Sequence, residues 1–254
     1  MNIFSRMAAL SAARTPFVWA TVTDTGGSTP QLAGASMAVT ADDQTGTVGG
    51  GAFELRVVET CRTMLVLGGE RTSTVEVHLV RDLAMCCGGR MTAFLQKVEP
   101  APRLFIVGAG HVGAALARVA LETELEVHVI DARTDWLNRE RFPEGVTLHD
   151  AESEDFIAQR PPNAADYAVI TTHSHPLDQA LTQALAPLSL AFLGLIGSRA
   201  KWARFRARLV ERGLTAEQLD SVQCPVGLEL GATTPAEIAV SIVAALVQRR
   251  RRGR

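Results

Sequence analysis

Five short stretches of this chain carry residue types and spacings that chemistry uses. The first is Gly108-Ala109-Gly110-His111-Val112-Gly113, a GxGxxG pattern. When such a run leaves a strand and opens a helix, Gly108 permits the tight turn. Gly110 then lets backbone approach a phosphate, and Gly113 lets helix and strand pack closely. The helix N-terminus adds unpaired N–H groups and partial positive charge, so the loop, His111 included, holds an anion. Asp131 closes the following strand and would accept hydrogen bonds from a ribose or other diol. The competing reading is a Rossmann-like domain that has lost its ligand. The second stretch is Gly49-Gly50-Gly51, ahead of a helical pattern. It reads either as another anion cradle or as a tight strand-to-helix turn, with Glu54 complementing the helix dipole.

The third stretch is Met85-Cys86-Cys87-Gly88-Gly89. A thiol flanked by glycines is approachable, and thiolates bind soft metals, molybdenum in sulfur-rich complexes included. An inert thiol beside a turn is the alternative. Cys61, on an apolar helix face, reads as core. The fourth stretch, Thr172 to Asp178, offers His173, His175 and Asp178 at the C-terminal end of a strand, where ligands collect in open α/β sheets. Metal binding, proton transfer or simple helix capping all fit, with a cofactor contact through His173 preferred. The fifth, Gly194 to Arg199, again permits close backbone approach, with Ser198 and Arg199 as cofactor contacts and Arg199 as a phosphate partner. Beyond it, Lys201, Arg204, Arg208 and Arg212 share one helical face, which reads as solvated.

The elements that must position these residues follow from periodicity. Phe17–Thr23, Ser36–Thr40, Thr74–Val80 and Thr92–Val98 read as strands, and Phe53, Val57, Cys61, Met64 and Leu65 mark a helix between them. Pro100-Ala101-Pro102 suits a linker, because proline cannot continue a ladder. After it, strands at Leu104–Val107, Val127–Asp131, Val146–His149, Tyr167–Thr172 and Leu190–Ile196 alternate with helices, among them Arg199–Glu211. That alternation is the mark of a parallel sheet. Thr234, Pro235 and Glu237 form a capping box with proline at the first helical position, so a helix starts there and runs through Val247. The fold class is α/β: a C-terminal Rossmann-like doubly wound parallel sheet, residues 103–254, preceded by a smaller α+β domain, residues 1–99.

Composition removes whole classes of function. Net charge is −2, which gives no pull toward nucleic acid or anionic lipid. No run approaches the roughly 18 apolar residues of a membrane span, and the N-terminus lacks a signal peptide's apolar segment. The 4 cysteines form no C-x-x-C pair, which argues against structural zinc or a disulfide framework. The expectation is a cytoplasmic protein that binds neither nucleic acid nor membrane. No G-x-S-x-G elbow is present, and no catalytic residue is assigned.

Taken together, five blocks in order resemble the XdhC family of xanthine dehydrogenase accessory proteins. They are Gly26–Val39, Gly46–Glu54, Cys87–Gly89, Gly108–Arg133, and Thr172–Ile242, and the resemblance spans about Ala20 to Val247. It implies a carrier rather than an enzyme. Such a protein binds the molybdenum cofactor, supports its sulfuration with a cysteine desulfurase, and delivers it to the molybdenum subunit of apo xanthine dehydrogenase. On this analogy Cys87 is the metal or sulfur contact. Gly49, Gly50 and Gly51 help shape the cofactor pocket, and the GAGHVG loop holds the pterin phosphate or a nucleotide. A homodimer is left open. The chain departs from the family pattern at Gln31, where arginine is usual, at Ser174, where an acidic residue is usual, and in the extra thiol of Cys86. The alternative is an NAD(P)-dependent oxidoreductase using the Rossmann site, with His173 or His175 as acid/base; the first domain has no obvious task in such an enzyme.

Overall fold

The structure, a computed structural model, describes residues 2–67, 70–79, 82 and 89–252. The chain divides into two compact units, Met1–Pro100 and Ala101–Arg254.

The first unit opens with α1 (Ile3–Ala12), capped by the Asn2 side chain. Strands β1 (Phe17–Gly26), β2 (Ser36–Val39), β3 (Gln44–Gly46), β4 (Thr72–His78) and β5 (Arg90–Val98) form one antiparallel sheet in the order β3-β2-β1-β5-β4. Helix α2 (Gly51–Leu67) covers one face, where Phe53, Val57, Val58 and Cys61 meet Val18, Ala20, Met91 and Ala93. The opposite face carries Phe17 and Trp19 against α1 through Leu10 and Met7. Alternation along β1 thus feeds two apolar layers. Strand β1 continues three residues beyond the expected Thr23, because its bulge near Val22 keeps pairing with β5 to Gly26.

The second unit is a six-stranded parallel sheet. Its strands are β6 (Arg103–Val107), β7 (Glu126–Asp131), β8 (Thr147–Asp150), β9 (Tyr167–Ile170), β10 (Phe192–Leu195) and β11 (Val222–Gln223). They lie in the order β11-β10-β9-β6-β7-β8. Helices alternate with them: α3 (His111–Leu121), α4 (Ser153–Gln159), α5 (His175–Leu185), α6 (Arg199–Glu211), α7 (Ala216–Asp220) and α8 (Pro235–Arg252). Both faces of the central strands are covered, so β9, β10 and β6 from Leu104 onward are apolar and buried. Leu104 and Ile106 of β6 face α3 and α8, while Phe105 and Val107 face α4 to α7. The doubly wound architecture expected from the alternation is what the structure holds. The expected capping box forms: Glu237 accepts from the Thr234 N–H at 2.9 Å, and Thr234 Oγ1 accepts from the Glu237 N–H at 3.3 Å. The N–H groups and hydroxyls of Thr234 and Thr233 around its carboxylate draw the Glu237 pKa down to about 2.

Among the described residues no helix is long and apolar enough to cross a membrane.

Candidate functional site

The strand order reverses between β6 and β9: the chain leaves β6 toward α3 on one face and leaves β9 toward α5 on the other. Such a switch point opens a crevice at the C-terminal ends of the strands. The glycine loop sits there. Gly108 has φ +115°, and a Cβ on it would lie 2.6 Å from the Thr171 carbonyl oxygen, so the turn admits only glycine. A Cβ on Gly113 would lie 2.0 Å from the Gly108 oxygen, which is the close loop–helix packing that the pattern demands. Gly110 is different: it caps α3 with no side-chain hydrogen bond, and its missing side chain faces open space. The first-turn N–H groups of α3 are therefore presented without an internal acceptor from a cap.

Asp131 is buried and fully committed. Its Oδ2 accepts from the Ala109 N–H at 2.7 Å and from an Arg133 NH2 at 2.6 Å; its Oδ1 accepts from Arg133 N and Nε, each at 2.9 Å. Those four bonds use about all the lone-pair directions of a carboxylate. Burial works to raise this carboxyl, but the Arg133 bond and the two amides outweigh it, and the pKa is lowered. Through these bonds Asp131 ties the glycine loop to the end of β7. Arg133 and Arg141 lie over Trp136 at 4.8 and 4.4 Å, and His111, exposed at the start of α3, meets the same indole edge-on at 5.5 Å. Arg141 also donates to the Ala109 carbonyl at 3.1 Å.

A cavity of about 620 Å³ opens beyond the ends of β9 and β10. Thr172, His173, His175, Asp178, Ile196, Gly197, Ser198, Lys201, Arg204, Phe205 and Arg208 line it. Asp178, 1 % exposed, accepts from Lys201 Nζ at 2.5 Å and from Thr172 Oγ1 at 2.6 Å. Lys201 also donates to the Ile196 carbonyl at 2.9 Å. Gly197 makes this possible: a Cβ there would lie 2.5 Å from Lys201 Cδ. Helical spacing reads the face carrying Lys201 as solvated, and the structure corrects this for Lys201, whose side chain is 12 % exposed. Spacing alone cannot show that α6 packs this lysine onto the start of α5; the signal is the glycine four residues before it. His173 and His175 are exposed at the rim. Ser198 caps α6 by accepting from Lys201 N at 3.1 Å, and Arg199 forms an exposed ion pair with Glu229.

In the first unit, Glu54 occupies the turn that Gly49, Gly50 and Gly51 make. Its Oε2 accepts from the Val48 and Gly50 N–H groups, both at 3.1 Å, and from the Thr47 hydroxyl. Burial raises this carboxyl, yet those bonds outweigh it and its pKa is lowered. An anion from outside would have to displace Glu54. Cys86 and Cys87, and with them the expected metal contact, lie outside the described residues. Burial pushes the Cys61 thiol up to about 12 and Cys224 up to about 11, so neither is a nucleophile near neutral pH. Among the described residues no group of three or more His, Cys, Asp or Glu side chains is gathered for a metal.

This strand order, glycine loop and switch-point crevice define a Rossmann-type unit joined to an antiparallel α+β unit. The model of the XdhC Rossmann domain matches residues 104–246, and that of the XdhC and CoxI family matches residues 10–78. The chain belongs to the XdhC family. It is similar to the uncharacterised protein YqeB of Escherichia coli K12, at 35% identity over 257 residues, covering 98% of this chain and 46% of that protein. It is also similar to a probable xanthine dehydrogenase subunit of Bacillus subtilis 168, at 36% identity over 160 residues, covering 63% of this chain and 46% of that protein. The chain thus spans about half the length of the curated relatives it matches. In fold it resembles a crystal structure of a xanthine dehydrogenase from Bacillus halodurans, with TM-score 0.55 and 21% identity, covering 100% of this chain and 97% of that one.

Proposed function

We propose that this chain is an accessory protein of xanthine dehydrogenase: it binds the molybdenum cofactor, supports its sulfuration and delivers it to the apo-enzyme. The observation that carries the reading is the glycine loop of an XdhC-family Rossmann unit, with α3 uncapped by any side chain and Gly110 open where a Cβ would intrude. A phosphate-bearing cofactor fits that cradle, since N–H groups without a partner and a helix dipole both favour an anion.

The chain's own residues do the following. Gly108 and Gly113 hold the loop against β9 and α3. Asp131 fixes the Ala109 amide and Arg133, so the loop is set before a ligand arrives. The N–H groups following Gly110 receive the phosphate of the pterin or of a nucleotide. Cys87 supplies the sulfur contact to molybdenum, in the assignment that the family suggests. The bound cofactor supplies redox chemistry to the recipient enzyme; for the carrier the task is holding and release. A dehydrogenase reading would need a carboxylate free for the ribose, and Asp131, with its four bonds made, weighs against it.

The test is protein isolated from a host that makes the cofactor, assayed for molybdenum and, after oxidation, for fluorescent pterin. Both should be present in wild type. Gly110→Val should lower pterin content about tenfold by placing a side chain in the phosphate position, and Cys87→Ala should lower molybdenum content. Protein without pterin or molybdenum, which also takes up none when offered it, would overturn the proposal. Addition of a cysteine desulfurase should raise cofactor sulfuration only when this chain is present.

A further inference from the structure

We infer that the cavity beyond β9 and β10 is a second anion site, separate from the glycine loop, built for an organic phosphate monoester. The inference needs nothing from the molybdenum reading; it rests on charge, size and a buried ion pair.

Three cations, Lys201, Arg204 and Arg208, stand on one wall against a single carboxylate, Asp178. That carboxylate is spent inside the fold. It is 1 % exposed and takes Lys201 Nζ at 2.5 Å and the Thr172 hydroxyl at 2.6 Å. Its role is to hold the ammonium at the cavity floor. An ammonium carries three N–H donors. Two have acceptors, Asp178 Oδ2 and the Ile196 carbonyl at 2.9 Å, and the ammonium also lies 5.2 Å over the Phe205 ring on the wall of the cavity that Lys201 lines. Arg204 is exposed on the same wall and has no ion pair among the described residues. Arg208 has one long contact, to the Gln179 side chain at 3.5 Å. These charges outlast the internal pairing, so the wall offers net positive charge to a ligand.

Size sets the rest. A cavity of about 620 Å³ falls within the range of small-molecule sites, roughly 300–1,000 Å³. It is far larger than a bare oxyanion needs. Ile196, Ala200 and Phe205 supply apolar wall beside the cations. One lysine and two arginines suit a dianion better than a carboxylate, and arginine forks match phosphate oxygens. The ligand that uses both parts is a phosphate monoester with an organic body.

The experiment is calorimetric titration of the full chain, in phosphate-free buffer, with AMP, with inorganic phosphate and with adenosine. Wild type should bind AMP saturably, inorganic phosphate more weakly, and adenosine not at all. AMP affinity should fall with added salt. The Arg204→Gln/Arg208→Gln variant, altered only at exposed positions, should melt like wild type and lose AMP affinity about tenfold or more. Gly110→Val should retain a saturable AMP site, and that site should be lost when Arg204→Gln/Arg208→Gln is added. Loss of AMP binding in Gly110→Val with retention in the arginine variant would place the phosphate in the glycine loop and overturn the inference. Equal affinity for adenosine, or no saturable binding of AMP or phosphate by wild type, would overturn it too. Each of these results leaves the molybdenum and pterin assay untouched, so the two failures are told apart.

Discussion

Two carboxylates bracket strand β9, one before it and one after it, and both are 1 % exposed, yet they sit in opposite circumstances. Asp166, at the N-terminal edge of the sheet, is closed in. Arg103 grips both its oxygens, with Nε at 3.1 Å, and the Asn163 and Arg103 N–H groups add bonds at 2.9 and 3.3 Å. Burial raises this carboxyl, the Arg103 bond and the amides outweigh it, and its pKa is lowered. Asp178, at the C-terminal edge, faces a lysine and a cavity. A guanidinium fork satisfies a carboxylate from one planar group, whereas an ammonium is a point charge with donors to spare. The closed pair staples the first strand of the Rossmann unit to its neighbour. The open pair keeps a cation ready at the edge where ligands gather.

The largest test of this contrast is deletion of each cation. Arg103→Met should destabilise the protein by about 3–5 kcal/mol, because Asp166 is left charged and enclosed. Lys201→Met should cost less, about 1–3 kcal/mol, since water in the cavity can reach Asp178. Urea denaturation of both variants gives the comparison, and equal losses would break it. Next in size, Gly113→Ala should cost about 1–3 kcal/mol through its clash with the Gly108 carbonyl, while Gly110→Ala should fall within about 0.5 kcal/mol of wild type. The same denaturation series reads both.

A third test uses acid. The folded pKa of Asp166 lies below its unfolded value, so the unfolded chain binds more protons in the window between them and stability rises with pH there. The contribution is complete above the ordinary aspartate pKa, near ~4, and is lost as pH falls through the folded value. Arg103→Met should flatten that part of the stability curve, and an unchanged acid limb would contradict the staple. The smallest expected signal is at Cys224, beside the open pair. Its pKa of about 11 should make alkylation at neutral pH far slower than that of a free peptide thiol, by peptide mapping after iodoacetamide.

What is legible in the sequence is local. The glycine loop, the alternation of strand and helix, the extent of α6 and the capping box at Thr234 each depend on residues a few positions apart, and each can be read directly. What escapes depends on partners far along the chain. Lys201 looks solvated because its helical neighbours are basic; its carboxylate partner stands 23 residues earlier, on another helix. Nothing in the spacing of Asp131 shows that Arg133 folds back on it. The ion pair of Arg199 with Glu229, 30 residues away, is equally invisible to local spacing. Helix α1 is the exception, a local element that goes unread when the opening residues are weighed only as a targeting signal, though Ile3, Met7 and Leu10 already carry its apolar stripe.

The stacking of Arg133 and Arg141 on Trp136 places an indole at the glycine loop, and Trp202 lies on α6 next to Lys201. Each candidate site thus has a natural fluorophore on an element that forms it. With Trp19 and one of the other two replaced by phenylalanine, emission from the remaining indole would report filling of one site alone. The occupancy of loop and cavity can then be followed separately, in real time, without labelling the chain.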